Sequence, residues 1–255
     1  MIWQGFKHWR VKRILKRYPI SHALWHSLMA EDQLFSGLSS VQKAYLRELA
    51  TLFIHQKRFR AAQGLVLTEA MQVKIAAHAC LLILELDLDC YQGWRDIIVY
   101  PQAFVVERDE TDALGVVSHQ PRVLGGEAWL HGPVVLEWQS FEEESRKFEL
   151  GRNLVLHEFS HKLDMLNGVA NGMPPLHSTM DHQAWTQAFS QAFQKLQHQI
   201  EHQDHANMNP YGATDPAEFF AVSTEYFFTA PRHLNQHFPA VYQQLCLFYR
   251  QEPNP

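Results

Sequence analysis

The sequence predicts an α+β fold, and three observations carry that reading. Helical apolar spacing fills the first sixty or so residues, short β-branched and aromatic runs fill the middle, and helical spacing returns near Phe141. The order is helices, a small mixed or antiparallel sheet, then flanking helices. With 255 residues, 46% hydrophobic and 19% charged, the chain has the bulk for one large domain with its own core. Within that single domain, residues 1–255, we read a helical N-terminal part over 1–63 and a core over 64–255.

Each element has its own signal. Ser39 and Ser40 follow Leu38 and can cap a helix running through Tyr45, Leu46, Leu49, Leu52 and Phe53. Thr68 opens a second apolar segment, 71–86, too long and too little alternating for a strand. After Trp94 the runs shorten: 97–100, 104–107, 115–117, 123–130 and 134–138 are strand-like and separated by Pro, Gly and Asp. Helices are expected again around 153–166, 182–202, 216–228 and 239–249, with a Gly/Pro-rich loop over 167–175.

Charge excludes some functions. A net charge of −5 does not suit a nucleic-acid binder, so no direct nucleic-acid partner is expected. The first seventeen residues differ: Lys7, Arg10, Lys12, Arg13, Lys16 and Arg17 alternate with Trp3, Phe6, Trp9, Val11, Ile14 and Leu15, without one acid. Such a helix suits an anionic membrane face or an acidic partner, or it docks its apolar side on its own domain, the commoner use. No membrane span is expected, since the most apolar window, 76–86, is short and interrupted by His78 and Glu85. Three widely spaced cysteines, Cys80, Cys90 and Cys246, imply no disulfide framework, and no secretory leader is expected, since no apolar run follows the basic stretch before Pro19. A cytoplasmic location is therefore expected.

Chemistry is concentrated at His157-Glu158-Phe159-Ser160-His161. On a helix, positions i and i+4 share a face, so both histidines can reach one metal ion while Glu158 addresses a water beside it. That pairs a general base with a Lewis acid, the needs of peptide hydrolysis. Asp164, three residues on, can accept the second ring N–H of a ligating histidine. Leu156, Phe159 and Leu163 argue that the helix is buried rather than a solvated face carrying a chance motif.

Catalytic zinc takes a third protein ligand and keeps a fourth position open. The extended pattern H-E-x-x-H-x-x-G-x-x-H is absent, because Asp164 and Asn167 replace its glycine and last histidine. The third ligand must come from elsewhere, from among His177, His182, His198, His202, His205, His233, His237, Glu218 and Glu225. Glu218 and Glu225 lie two turns apart on an otherwise apolar helix, where burying two acids is costly without a cation or partner. One ligand and one supporting carboxylate would account for both.

Two longer segments carry a resemblance. The run from Tyr211-Gly-Ala-Thr-Asp-Pro-Ala-Glu218 to Phe228, and His157 to Gly168, resemble the Mlc titration factor A (MtfA) family. Gly126-Glu-Ala-Trp129 with Gly132-Pro133, Tyr91-x-Gly-Trp94, and Val99-Tyr-Pro with Phe104 extend the likeness over most of the chain, least in its first sixty residues. The family is similar in metal-site layout to the anthrax lethal factor catalytic domain, so the resemblance implies a gluzincin-like zinc metallopeptidase fold. It makes His157, His161 and Glu218 the ligands of one Zn²⁺ per chain and Glu158 the catalytic base. It also makes Tyr211 a donor to the oxyanion, where charge develops. It further implies a cytoplasmic aminopeptidase with a peptide substrate, and binding of the repressor Mlc that alters expression of the glucose phosphotransferase system.

Other expectations concern substrate and metal. The 123–130 run is a candidate edge strand for pairing with substrate main chain, with Glu127 placed to meet a free amino group. The ligand set suits zinc, though cobalt or manganese can occupy it in vitro. Because ligating histidines must be neutral, activity is expected to fall on the acid side of about pH 6.5. The rival reading is a non-catalytic regulator that sequesters a transcription factor and keeps zinc as a structural ion.

Overall fold

The chain opens with α1 (Ile2–Arg17), α2 (His22–Glu31) and α3 (Ser40–Gln56). This computed structural model describes residues 2–102, 104–111, 117–124, 126–128, 132–203 and 205–253, with the backbone alone for 2–8 and 104–128. In α1, Ile14 is buried and Val11 and Leu15 pack partly against the core, while Arg10, Lys12, Arg13, Lys16 and Arg17 stay exposed. The apolar side of its second half thus packs on the core, while Trp9 is exposed and the side chains of Trp3, Phe6 and Lys7 lie outside the described residues. Ser39 caps α3 through a capping box with Gln42, as its place before the apolar run predicts.

The helical reading of residues 1–63 fails at its end, where β1 (Arg58–Ala61) is a strand. Its side chains are largely exposed, so no apolar alternation marks it. It is held by parallel pairing with β2 (Asp96–Tyr100) and by Arg58 and Arg60, both ion-paired with Asp96. Between them, Thr68 caps α4 (Glu69–Leu82), which stops four residues before the expected end.

The middle of the chain forms two sheets. β3 (Phe104–Thr111) and β4 (Val117–Leu124) make an antiparallel pair, with β4 running through Pro121 rather than as two short runs. A mixed sheet has the order β1-β2-β6-β5, where β5 is Gly126–Ala128 and β6 is Val134–Glu137. β1, β2 and β6 are parallel, and β5 closes the edge antiparallel to β6. All of β6 is buried, the mark of a strand covered on both faces. Trp138, expected in the strand, instead starts α5 (Trp138–Lys147). Gly115, Gly125, Trp129 and Leu130 lie outside the described residues.

The second half is helical, with α6 (Leu154–Asp164), α7 (His182–Glu201), α8 (Pro216–Thr229), α9 (Pro231–His237) and α10 (Pro239–Tyr249). Proline opens α8, α9 and α10, where its missing N–H costs nothing. The short α9 lies outside the helices read from the sequence. At the centre, α6 packs against α4, α8, β5 and β6 and is buried from Val155 to Asp164. Phe159 fixes it, with its ring 5.7 Å from Phe53, 5.3 Å from Tyr91 and 5.8 Å from Trp94. The architecture is helix-rich α+β. A helix buried on all sides must find a partner for every polar group it carries.

Candidate metal centre

His157 and His161 stand one turn apart on α6, and Glu218 reaches them from the first turn of α8. Asp215 fixes that turn by accepting from the backbone N–H groups of Ala217 and Glu218. Glu218 Oε2 lies 3.0 Å from His157 Nε2 and 3.4 Å from His161 Nε2, and the two ring nitrogens are 3.3 Å apart. Yet Glu218 Oε2 is buried without a well-angled hydrogen bond. The three atoms converge on a shared point more than they bond to one another. Among the described residues they are the one group of three ligand atoms that could hold a metal ion.

The roles of the ring nitrogens follow from their second partners. Glu225, two turns along α8, accepts from His157 Nδ1 at 2.8 Å through Oε1, and from the Asn153 backbone N–H at 2.6 Å through Oε2. With its proton on Nδ1, His157 presents a lone pair at Nε2. Two imidazole nitrogens and a carboxylate oxygen, one ring already oriented, are a donor set that fits zinc. Burial pushes the His157 pKa down, but Glu218 and Glu225 reverse this and raise it well above the usual histidine value. Burial likewise would raise Glu218, and the two imidazoles drive it well below the carboxylate range. The same nitrogen and oxygen atoms take either protons or a metal ion, so the two compete for one place.

Glu158 is buried beside this cluster, and burial lifts its carboxyl to about 7 against the opposing pull of His157 and His161. A carboxylate poised near neutrality suits taking and returning a proton. Tyr211 lies in the turn Pro210–Ala213, half exposed, with its ring 5.9 Å from that of His157. Burial, then the Glu218 carboxylate, push its phenol up, so it holds its proton and can donate it. Lys162 closes the other side of α6, where its Nζ donates to the Gly132 carbonyl and sits 4.8 Å from the Trp94 ring centre.

Asp164 does not take the part its spacing suggested. Its Oδ2 accepts from the backbone N–H groups of Asn171 and Gly172, while Oδ1 and His161 Nδ1 are both buried without a hydrogen bond. Glu225 is the carboxylate that supports a ring. Asp164 instead ties the 167–175 loop to the end of α6, and Trp185 Nε1 donates to the Gly172 carbonyl from beyond. Three of the other histidines are engaged elsewhere: His177 with the Phe248 carbonyl, His202 with that of His198, and His233 with that of Asn207.

Sequence reasoning passed over Asn153 and Glu144, which anchor the start of α6. Asn153 Oδ1 accepts from Leu156 N and Glu144 Oε2 from Leu154 N. An asparagine three residues before a helical leucine was a readable cap; Glu144, ten residues distant in sequence, was not. Glu127 sits on the edge strand β5, opposite Val135 in register, and its side chain lies outside the described residues.

A model of the glucose-regulated metallopeptidase family M90 matches residues 6–250 of the chain. The chain belongs to this family. Proteins named Mlc titration factor A from Yersinia pestis (strain Pestoides F) and Yersinia pseudotuberculosis serotype O:1b (strain IP 31758) are each 40% identical to it over 235 residues. The match covers 91% of this chain and 85% of each relative. The same holds for the protein of that name in Yersinia pseudotuberculosis serotype O:3 (strain YPIII). The resemblance seen in the motifs therefore extends over nearly the whole of this M90 family member. No helix among the described residues is long and apolar enough to cross a membrane.

Proposed function

We propose that this chain is a cytoplasmic, gluzincin-type zinc aminopeptidase that also binds the repressor Mlc. One observation carries the catalytic reading: two imidazole nitrogens and the Glu218 carboxylate converge within 4.8 Å, next to a buried glutamate. His157, His161 and Glu218 would hold zinc, which supplies Lewis acidity for polarising a carbonyl. Glu158 takes the proton of the attacking water and returns it to the leaving amine. Tyr211 donates from its hydroxyl to the oxygen on which charge grows.

The preference for free amino termini is supported by position. β5 is the edge of the mixed sheet and packs against α6, so an added substrate strand there would run beside the histidines. Glu127 is central in β5 and would meet the substrate amino group.

The reading is tested by hydrolysis of matched free and N-blocked aminoacyl anilides by zinc-loaded wild type and Glu158→Gln. The expected result is cleavage of the free substrates alone, by wild type alone. If neither protein cleaves while both hold zinc, the reading falls to the regulatory one, which the relatives' name favours. That second reading predicts that Glu158→Gln binds Mlc as wild type does, and Mlc failing to bind either protein would overturn it. An unchanged preference for free over blocked substrates in Glu127→Gln would remove Glu127 from the account.

A further inference from the structure

Behind His157 a buried line of hydrogen bonds continues to Asp32 at the end of α2. Asn153 both caps α6 and passes the line on: its backbone N–H donates to Glu225, and its Nδ2 donates to His78 Nδ1 at 2.9 Å. The amide orientation is set by Oδ1, which accepts from Leu156 N. His78 Nδ1 is therefore an acceptor, and its Nε2–H donates to Asp32 Oδ2 at 2.8 Å. Asp32 is in turn held by Ser145 Oγ at 2.6 Å and by Leu34 N at 3.1 Å.

His78 is fully buried and clamped edge-on between Phe35 at 5.1 Å and Phe141 at 4.8 Å, so its ring has one orientation. The five residues come from four elements: Asp32 from the end of α2, His78 from α4, Asn153 and His157 from α6, and Glu225 from α8. Asn153 is thus held from two sides, its Nδ2 against His78 and its backbone N–H against Glu225. That backbone, through Glu225, fixes the plane of the His157 ring.

We propose that Asp32 and His78 are positioning residues for the metal centre, acting through Asn153 and Glu225 on His157. The proposal rests on the reading of His157 as a metal ligand. It gives the N-terminal helices a part in the site: Asp32 arrives from the segment between α2 and α3. A buried polar line of this kind is costly unless complete, so losing one member leaves its neighbours free to turn. Partners that orient a ligand without touching the ion typically change metal affinity by about 10–100-fold when lost, and more remote ones belong at the lower end.

The test uses the full chain and two metals. Zn²⁺ affinity is measured by chelator competition and site geometry by the visible spectrum of the Co²⁺ form, with melting of the metal-free protein recorded beside them. Variants are His78→Phe, which fills the space between the rings, Asn153→Asp, which keeps the helix cap but loses the Nδ2 donor, and His161→Ala. The expected result is about ten-fold weaker zinc binding and an altered cobalt spectrum for His78→Phe and for Asn153→Asp. A role in folding alone would lower melting and leave the zinc affinity and the cobalt spectrum as in wild type. That outcome overturns the proposal, and Asn153→Asp decides it should His78→Phe not fold. If His161→Ala also binds zinc as wild type does, the metal site itself is misread. If only His161→Ala loses zinc, the site stands and the positioning line fails.

Discussion

The Gly172 backbone lies directly against the Pro216 carbonyl: a Cβ added at Gly172 would stand 2.3 Å from that oxygen. Gly172 also holds a left-handed φ of +77°, and its N–H donates to Asp164 at 2.7 Å. The loop after α6 is thereby pressed onto the first residue of α8, two residues before Glu218. Glycine is required here on both counts, conformation and space.

Gly172→Ala is therefore expected to move the start of α8 and to destabilise the protein by about 2–4 kcal/mol, combining left-handed strain with overpacking. Because Glu218 moves with that turn, zinc affinity should fall in parallel. Thermal melting and chelator competition on the same preparation measure both. Wild-type affinity in a destabilised variant would show that the loop supports the fold without placing Glu218.

Tyr211→Phe isolates the proposed donor. The ring keeps its place near His157 while the hydroxyl is lost, so kcat should drop by about 10²–10³-fold. Zinc content and KM should change little, since the contact matters where charge develops. A loss confined to KM would assign Tyr211 to substrate binding instead.

Much of this was readable in the chain because the signals are local. The cap at Ser39, the cap at Thr68, the spacing of His157 and His161, and the two acids of α8 each sit within a few residues of what they control. The structure brings together the same His157, His161 and Glu218 that spacing and resemblance singled out. What escaped is long-range. β1 is a strand because of backbone pairing with β2, nearly forty residues away, and shows no apolar alternation. Asp164 and Glu225 were both open as the carboxylate behind a ring, and packing of α8 on α6 settles which one meets His157. His78 reads as one histidine in an apolar segment, and its partners at 32 and 153 are invisible to any local pattern.

Binding of zinc should cross-link α6 to α8 and raise stability. At a free concentration about 100 times Kd the gain is about 2.7 kcal/mol, or roughly 5–10 °C in melting for a chain of this size. A chelator should reverse it, and His161→Ala should show none of it. Melting that is indifferent to zinc in the wild type would argue against a site formed by these two helices.

Phe159 carries the packing of the site helix. It is fully buried among Phe53, Tyr91 and Trp94, and Phe159→Ala should cost about 3–5 kcal/mol from lost contacts and the cavity left behind. Denaturant unfolding of the metal-free protein measures it. A cost below about 1 kcal/mol would mean that α6 collapses into the space, and the histidines would then shift with it.

Asp32 gives a pH dependence that is separable from the metal. Burial alone would raise its carboxyl, but His78, Ser145 and the Leu34 N–H hold it at about 2, against an ordinary 3.8. The unfolded chain therefore binds a proton that the folded one refuses between about pH 4 and pH 2, and stability falls with acid across that window. The contribution is fully present above about pH 4 and amounts to about 2 kcal/mol. His78 faces this carboxylate from α4 and Ser145 from α5, while Glu31, Lys74, Glu142 and Arg146 line the 370 Å³ cleft at which Asp32 lies. Those charged groups are shared by wild type and Asp32→Asn, so comparing the two reports the Asp32 carboxylate together with its contact to His78. In metal-free protein, the stability difference between them should be largest above pH 4 and shrink by about 2 kcal/mol as pH falls to 2. A difference constant across that range would mean that the His78–Asp32 contact contributes as a neutral hydrogen bond rather than through the charge on the carboxylate.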